Sequence, residues 1–265
     1  MEDFVTLDNV ALRYGGAKGT LALSGADLKI RKGEFAAVVG PSGCGKSSLM
    51  KLMTGLQPPT EGAIHVDGAP VSGPLSITGM AFQNPSLLPW RTLLQNVMLP
   101  LEIVRPHRHQ LASRKEEYLA KARGLLKTVG LAEFEEKHPW MLSGGMQQRA
   151  NLCRSLIHDP SLLMLDEPFG ALDAFTREEL WGVLQDIWLE KQFTTILVTH
   201  DLREAVFLAD VVFVMSARPG RVIATHRVDL PRKRTLETTF DPKFIDIVHQ
   251  IRNQIAQIRE DSKAA

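Results

Sequence analysis

The segment that most restricts this chain is Gly40-Pro41-Ser42-Gly43-Cys44-Gly45-Lys46-Ser47, a G-x-x-x-x-G-K-[ST] octet. Phe35-Ala36-Ala37-Val38-Val39 precedes it, a short continuous apolar run with Lys32-Gly33 before and Gly40-Pro41 after. Such a run suits a strand buried on both faces, as in a parallel sheet. Behind the octet, Leu49, Leu52, Met53 and Leu56 recur at helical spacing until Gln57-Pro58-Pro59-Thr60-Glu61-Gly62 interrupts them. Strand, glycine-rich loop and helix together are the context a phosphate-binding loop requires. The glycines let the backbone wrap an anion closely. Successive N–H groups and the helix N-terminus then face it. Lys46 is placed to reach β- and γ-phosphates, and the Ser47 hydroxyl to ligate Mg²⁺.

The rest of the chain repeats the buried-strand pattern. Phe4 to Leu7, Leu21 to Leu23 and Asp27 to Ile30 read as strands, and Ala63 to Gly68 as another. Residues 92–157 are mostly helical in pattern, with one long amphipathic helix expected from Arg108 to Thr128. Its stripe is Leu119, Ala122, Leu125, Leu126 and Val129. Apolar runs return at Leu162 to Leu165, Thr195 to Val198 and Val211 to Val214, with helices expected over about 176–190 and 202–208. The β-α-β-α-β order argues for a parallel α/β sheet into which a helical block is inserted. A terminal helix follows, with Ile247, Val248, Ile251, Ile255 and Ile258 on one side. The basic triplet Arg232-Lys233-Arg234 before it reads as solvated surface.

Composition removes several classes. With 31 Lys+Arg against 30 Asp+Glu, the net charge of +1 offers no general reason to bind nucleic acid or anionic lipid. Hydrophobic residues at 44% exclude a disordered chain. Two cysteines, Cys44 and Cys153, do not make a disulfide framework and fit a reducing compartment. No stretch reaches the roughly 18 apolar residues of a membrane span. Glu2, Asp3 and Asp8 do not suit a secretory signal. The expectation is a soluble cytoplasmic protein.

Two more segments carry chemistry. Leu162-Leu163-Met164-Leu165-Asp166-Glu167 is a buried strand ending in two carboxylates, presented at the ligand edge of a parallel sheet. Asp166 suits Mg²⁺ held through water, and Glu167 suits polarisation of an attacking water. Leu142-Ser143-Gly144-Gly145-Met146-Gln147 precedes a helical pattern and offers a hydroxyl, N–H groups and a positive helix end. A plain helix cap explains Ser143 equally well.

At this point the chain resembles the ATP-binding subunits of ABC transporters. Leu-Ser-Gly-Gly-Met-Gln matches the signature motif of that family. Tyr14 stands where the family stacks an aromatic on adenine. Gln83, in Ala81-Phe82-Gln83-Asn84, stands at the Q-loop. Gly170-Ala171-Leu172-Asp173 matches the D-loop, and His200 the switch histidine. The resemblance covers roughly residues 3–225. It implies an α/β P-loop NTPase (RecA-like) core sheet, an N-terminal antiparallel β subdomain and an inserted α-helical subdomain. The expected division is an ATPase domain over 3–232, with the helical part at about 88–157, and a C-terminal helical extension over 233–265.

The resemblance also implies a function. ATP and Mg²⁺ are the expected ligands, with Ser48 adding a second hydroxyl for phosphate and Gln83 joining Ser47 and Asp166 around the metal. Glu167 is the expected base, Lys46 and His200 its catalytic partners. Two copies pair head to tail, so that Ser143, Gly144, Gly145, Gln147 and Asp173 of one serve the nucleotide of the other. Separate multi-span permease subunits are implied, and indirectly a secreted solute-binding protein, with the chain peripheral on the cytoplasmic face of the inner membrane. Leu88-Pro89-Trp90 and Ser216-Ala217-Arg218-Pro219-Gly220-Arg221-Val222 resemble importers of the nitrate, sulfonate and taurine group. A non-transport ABC ATPase and an export or lipid-trafficking subunit are the alternatives. Cys44, lying within the loop, is expected to make the ATPase sensitive to alkylation.

Overall fold

A computed structural model describes residues 2–16, 18–170 and 172–264. In chain order, the first segment holds β1 (Asp3–Tyr14), β2 (Thr20–Arg31), β3 (Phe35–Val39), α1 (Lys46–Met53), β4 (Glu61–Val66) and β5 (Ala69–Pro70). The middle holds β6 (Thr78–Ala81), α2 (Leu93–Ile103), α3 (His107–Gln110), α4 (Lys115–Thr128), α5 (Gly144–Leu156), β7 (Leu162–Asp166) and α6 (Ala174–Lys191). The last holds β8 (Thr194–Val198), α7 (Leu202–Leu208), β9 (Val211–Met215), β10 (Val222–Arg227) and α8 (Pro242–Ala264). The chain divides into two compact units, residues 1–75 with 191–265, and residues 76–190.

The first unit contains both kinds of sheet. β2-β1-β4-β5 is antiparallel throughout. One face of it is apolar, with Val5, Leu7, Leu12, Leu28 and Ile30 buried. β3 lies between β8 and β9, parallel to both, and β10 closes the edge antiparallel to β9. Every residue of β3, β8 and β9 is buried, which is why these segments read as unbroken apolar runs rather than alternations. β10 alternates half-buried and exposed, and its weak signal escaped the sequence reading.

Register places the loops. Val38 pairs with Val198, and the Thr199 N–H donates to the Val38 carbonyl at 3.3 Å. The loop after Val39 and the His200 segment after Val198 therefore leave the same strand edge. In the second unit β6 and β7 are parallel, and Ala81 pairs with Leu165. Gln83 and Glu167, each two residues further on, are thereby brought side by side.

Two expectations are corrected. The helix foreseen from Arg108 to Thr128 is two helices, α3 and α4, separated at residues 111–114. The Tyr118 hydroxyl lies 3.0 Å from His107 Nδ1 and 3.3 Å from Gln110 Oε1, tying α4 back to α3. Buried Tyr118, Ala122 and Leu126 form the packed stripe of α4, while Leu119 and Leu125 are only half-buried. The basic triplet is also not a solvated patch. Arg234 is buried, and its guanidinium donates to the carbonyls of Val206 at 2.9 Å, Phe207 at 3.0 Å and Ala209 at 2.7 Å. Arg232 donates to the Leu208 carbonyl and Asp210 Oδ1, both at 2.7 Å. Those carbonyls are the ones a helix end leaves without intrahelical donors. Two arginines therefore cap the C-terminus of α7, where cations also meet the negative end of the helix dipole. α8 docks behind them through buried Phe244, Ile247 and Ile251. Each contributes roughly 2 kcal/mol of apolar burial, enough to make α8 part of the first unit rather than a loose tail.

Arg234→Ala removes donors from several buried carbonyls at once. We expect a loss of about 3 kcal/mol, lowering the melting temperature by roughly 5–10 °C in scanning calorimetry. An unchanged melting temperature would show that water caps α7 as well as the guanidinium does.

Candidate functional site

In the first unit the glycine-rich loop turns sharply into α1. Gly45 is the N-cap with φ 105°, a conformation closed to side chains, and no side chain caps the helix. The Leu49 N–H closes the first turn on the Gly45 carbonyl at 2.8 Å. The N–H groups at the start of α1 consequently face outward as an anion cradle. Ser42, Gly43 and Ser47 are exposed, whereas Gly40, Pro41, Cys44 and Lys46 are buried. The Lys46 ammonium donates to the carbonyls of Gly40 at 3.0 Å and Pro41 at 3.1 Å. No carboxylate pairs with it among the described residues. A buried cation with neutral acceptors only is incompletely compensated, a setting that suits an arriving anion.

Tyr14 ends β1, and its hydroxyl lies 3.1 Å from Ser48 Oγ, so the aromatic ring stands beside the start of α1. His200 is exposed just beyond β8. Asp201 caps α7 by accepting from the N–H groups of Arg203 at 2.9 Å and Glu204 at 3.2 Å, which fixes the backbone next to His200.

The second unit holds the carboxylates. Asp166 ends β7 and Glu167 follows it with φ 46°. For a residue with a side chain this left-handed backbone is strained and marks a site worth that strain. The Gln83 amide donates to Glu167 Oε2 at 3.1 Å, so the glutamine orients the carboxylate. Ser143 is the N-cap of α5, its Oγ accepting from the Met146 N–H at 3.2 Å. Ser143 and Gly144 are exposed at the helix start, and Gly145 is half-buried. Gln147 turns its amide onto the carbonyls of Pro139 at 2.9 Å and Leu142 at 3.2 Å, bracing the approach to that helix. Asp173 accepts from the Thr176 N–H at 3.1 Å at the start of α6, and this bond holds its carboxyl below the usual range. Ala171, of the same motif, lies outside the described residues. Among those described, no cluster of three or more His, Cys, Asp or Glu could cage a metal. Ser47 in the first unit, and Gln83 and Asp166 in the second, are each hard-oxygen donors of the kind that suits Mg²⁺.

The sequence reading missed the residues that hold these parts. Gln148 donates to the carbonyls of Phe82 at 3.4 Å and Gln83 at 3.3 Å, and Asn151 to Phe82 at 3.0 Å. Arg154 donates to the carbonyls of Pro85 at 2.5 Å and Ser86 at 3.1 Å. One polar face of α5 thus grips the backbone of the Gln83 loop while the start of the same helix carries Ser143. Polar residues at i, i+3 and i+6 on a helix expected to pack were the available signal. In the first unit Gly220 is equally hidden. A Cβ there would stand 2.0 Å from the Cys44 carbonyl. The chain after β9 therefore backs the glycine-rich loop closely.

The foreseen alkylation of Cys44 does not suit this geometry. Its thiol is buried, and burial pushes its pKa up, while Cys153 is pushed up to about 12. Thiolate, the reactive form, is scarce at both. In the native chain a chromogenic disulfide reagent should titrate neither thiol within minutes, and both after guanidinium unfolding; prompt native labelling would contradict the packing of the loop. Gly220→Ala should displace the loop and weaken ATP binding about tenfold, roughly 1.4 kcal/mol, with far-UV dichroism intact. Unaltered affinity would show that the loop takes its shape without this support.

Comparison with known proteins gives the family. Residues 23–170 match the family model described as ABC transporter. The taurine import ATP-binding protein TauB of Burkholderia pseudomallei (strain 1710b) is 40% identical over 260 residues, covering 95% of this chain and 96% of that protein. An uncharacterized ABC transporter ATP-binding protein of Methanocaldococcus jannaschii is 44% identical over 213 residues, 80% of this chain and 77% of that protein. A dimeric ATP-binding cassette solved in a post-hydrolysis state with ADP and Pi superposes with a TM-score of 0.74 at 30% identity, covering 86% of this chain and all of that one. With its P-loop NTPase α/β fold, this chain belongs to the ABC transporter family, as an ATP-binding subunit that hydrolyses ATP.

Proposed function

We propose that this subunit drives import of a small sulfonate-like anion through a separate permease. The observation that carries the nucleotide part is Lys46: a buried ammonium held by two carbonyls, at the uncapped start of α1. ATP phosphates complete that charge balance, with the loop Gly40 to Ser48 around them and the Tyr14 ring against the adenine. Ser47, Gln83 and Asp166 would hold Mg²⁺, which would supply charge neutralisation on the phosphates. Glu167, oriented by Gln83, takes the proton of the attacking water. His200 contacts the γ-phosphate and keeps it in register with the base. In a head-to-tail pair the second copy adds Ser143, Gly144, Gly145, Gln147 and Asp173 to the same nucleotide. ATP then closes the pair, and phosphate loss opens it. In this reading the ATPase domain spans 3–232, its helical part about 88–157, and residues 233–265 are an extension.

Among the described residues no helix is long and apolar enough to cross a membrane. Transport then needs a membrane partner, and the second unit offers a surface for one. Phe82, Trp90 and Ile103 are exposed at 41%, 71% and 64%. A groove of about 460 Å³ runs past Met80, Phe82, Leu99, Ile103 and Arg154. An exposed apolar groove next to the Gln83 loop suits docking of a permease segment, with the chain peripheral on the cytoplasmic side. The taurine-import relative supports the class of cargo, which a secreted solute-binding protein would deliver.

Glu167→Gln should bind ATP normally and lose at least about 100-fold in turnover, the range of a lost general base. It should also accumulate as an ATP-bound dimer in size-exclusion chromatography with light scattering. Near-normal phosphate release by this variant would refute the base assignment. Uptake of labelled taurine in a strain carrying only this system, lost with Lys46→Ala, would test the cargo.

A further inference from the structure

The apolar groove of the second unit carries two polar atoms that nothing in its walls satisfies. Thr78 and Met80 share one face of β6, Phe82 follows in line, and Leu99 and Ile103 stand one turn apart on α2. Arg154 and Ser155 of α5, with His158 just beyond it, complete this part of the lining. All of it lies within the one unit. Ser155 donates its hydroxyl to the Leu152 carbonyl at 2.7 Å, and Arg154 spends its guanidinium on Pro85, Ser86 and Asn151. His158 Nδ1 and Thr78 Oγ1, by contrast, are buried without a hydrogen-bond partner.

The two residues are joined, because His158 Nε2 lies 3.3 Å from the Thr78 carbonyl. A carbonyl only accepts, so Nε2 carries the proton. Burial holds the imidazole pKa below its ordinary value, which keeps the ring neutral. In a neutral ring protonated at Nε2, Nδ1 is a bare acceptor. His107 braces the same turn: its Nε2 lies 3.1 Å from the His158 carbonyl, and its Nδ1 3.0 Å from the Tyr118 hydroxyl. Leaving a buried acceptor unpaired is costly, so the site calls for a donor from outside. A cationic donor would meet the Arg154 guanidinium, and the lining holds no carboxylate to offset it. A neutral donor therefore suits. The walls ask for an apolar body as well, and a body with a polar tip describes tyrosine and tryptophan. These are also the side chains that most often anchor interfaces. Side chains commonly change rotamer on docking, so a shielded nitrogen is reachable.

We propose that the permease segment seated in this groove is anchored by a tyrosine or tryptophan whose hydroxyl or indole N–H donates to His158 Nδ1. The Thr78 hydroxyl, able to donate and to accept, serves the same polar tip. This inference rests on the docking of a permease in the groove and adds the side chain that the groove selects. His158 is thereby a specificity determinant for the membrane partner, remote from the residues assigned to ATP.

The test uses the full chain and two small probes, 4-ethylphenol and its methyl ether 4-ethylanisole. Both fill apolar space, and only the phenol donates. Each is titrated while the Met80 and Ile103 methyl resonances report on the groove. The phenol should saturate these shifts at least about fivefold more tightly than the ether, the value of one hydrogen bond. His158→Phe should abolish that preference. Equal affinity for the two probes, no saturable shift with either, or a preference kept in His158→Phe overturns the proposal. Should His158→Phe not fold, the His158 imidazole nitrogens are followed in the unsubstituted chain. A Nδ1 shift with the phenol and not with the ether supports the anchor, and an unmoved Nδ1 overturns it. Affinity purification from host membranes is run alongside. A permease recovered by the unsubstituted chain, and recovered less by His158→Phe, supports the anchor, and equal recovery overturns it. No permease with either chain counts against the import reading, and the probe comparison then decides the groove chemistry by itself.

Discussion

A buried ammonium that meets no carboxylate among the described residues is the constraint on which the first unit turns. Lys46 leaves solvent to reach the carbonyls of Gly40 and Pro41, and those carbonyls offer partial charges only. Desolvating a cation against neutral acceptors is costly, and the surrounding fold bears that cost. The loop can hold the lysine there because β3 is buried on both faces and Gly45 accepts a backbone angle denied to other residues. What results is a site whose charge balance suits an anion arriving from outside.

The candidate site segments are aligned by strand register more than by their own contacts. Parallel pairing of β3 with β8 makes the phosphate loop and His200 neighbours. Parallel pairing of β6 with β7 does the same for Gln83 and Glu167. β3, β7 and β8 are buried on both faces, so a slip in either ladder would draw flanking loop residues into the core, which enforces the alignment. α5 adds a mechanical link within the second unit. Its start presents Ser143, and its Gln148, Asn151 and Arg154 hold the backbone of the Gln83 loop. The start of α5 and the Gln83 loop are therefore tied to one helix.

Much of this was legible in the residues, and the misses share a cause. β3, β8 and β9 announced themselves as apolar runs, and the octet from Gly40 to Ser47 fixed the loop chemistry. β10 gave no signal because one face is only half-buried. The α3–α4 break was invisible because it depends on the Tyr118 hydroxyl finding His107 and Gln110, a polar contact outside hydrophobic periodicity. Arg232 and Arg234 looked like surface because charge usually is; they cap α7 instead, through carbonyls more than twenty residues earlier in the chain.

By itself the sequence determined the chemical groups and their local setting: a phosphate loop between strand and helix, carboxylates at a strand end, an anion-ready helix start at Ser143. Local backbone preference and burial period suffice for those, since each depends on neighbours a few residues away. Tertiary structure alone decided which polar side chains became structural and which stayed available. Gln148, Asn151, Arg154 and Arg234 are occupied by distant carbonyls. Gly220 backs a loop about 175 residues earlier in the chain. Arg252 and Arg259 of α8 line one cavity with Gly40 and His200. Such pairings depend on which surfaces are pressed together after collapse, and side-chain hydrogen bonds of this kind carry no periodic trace in the chain.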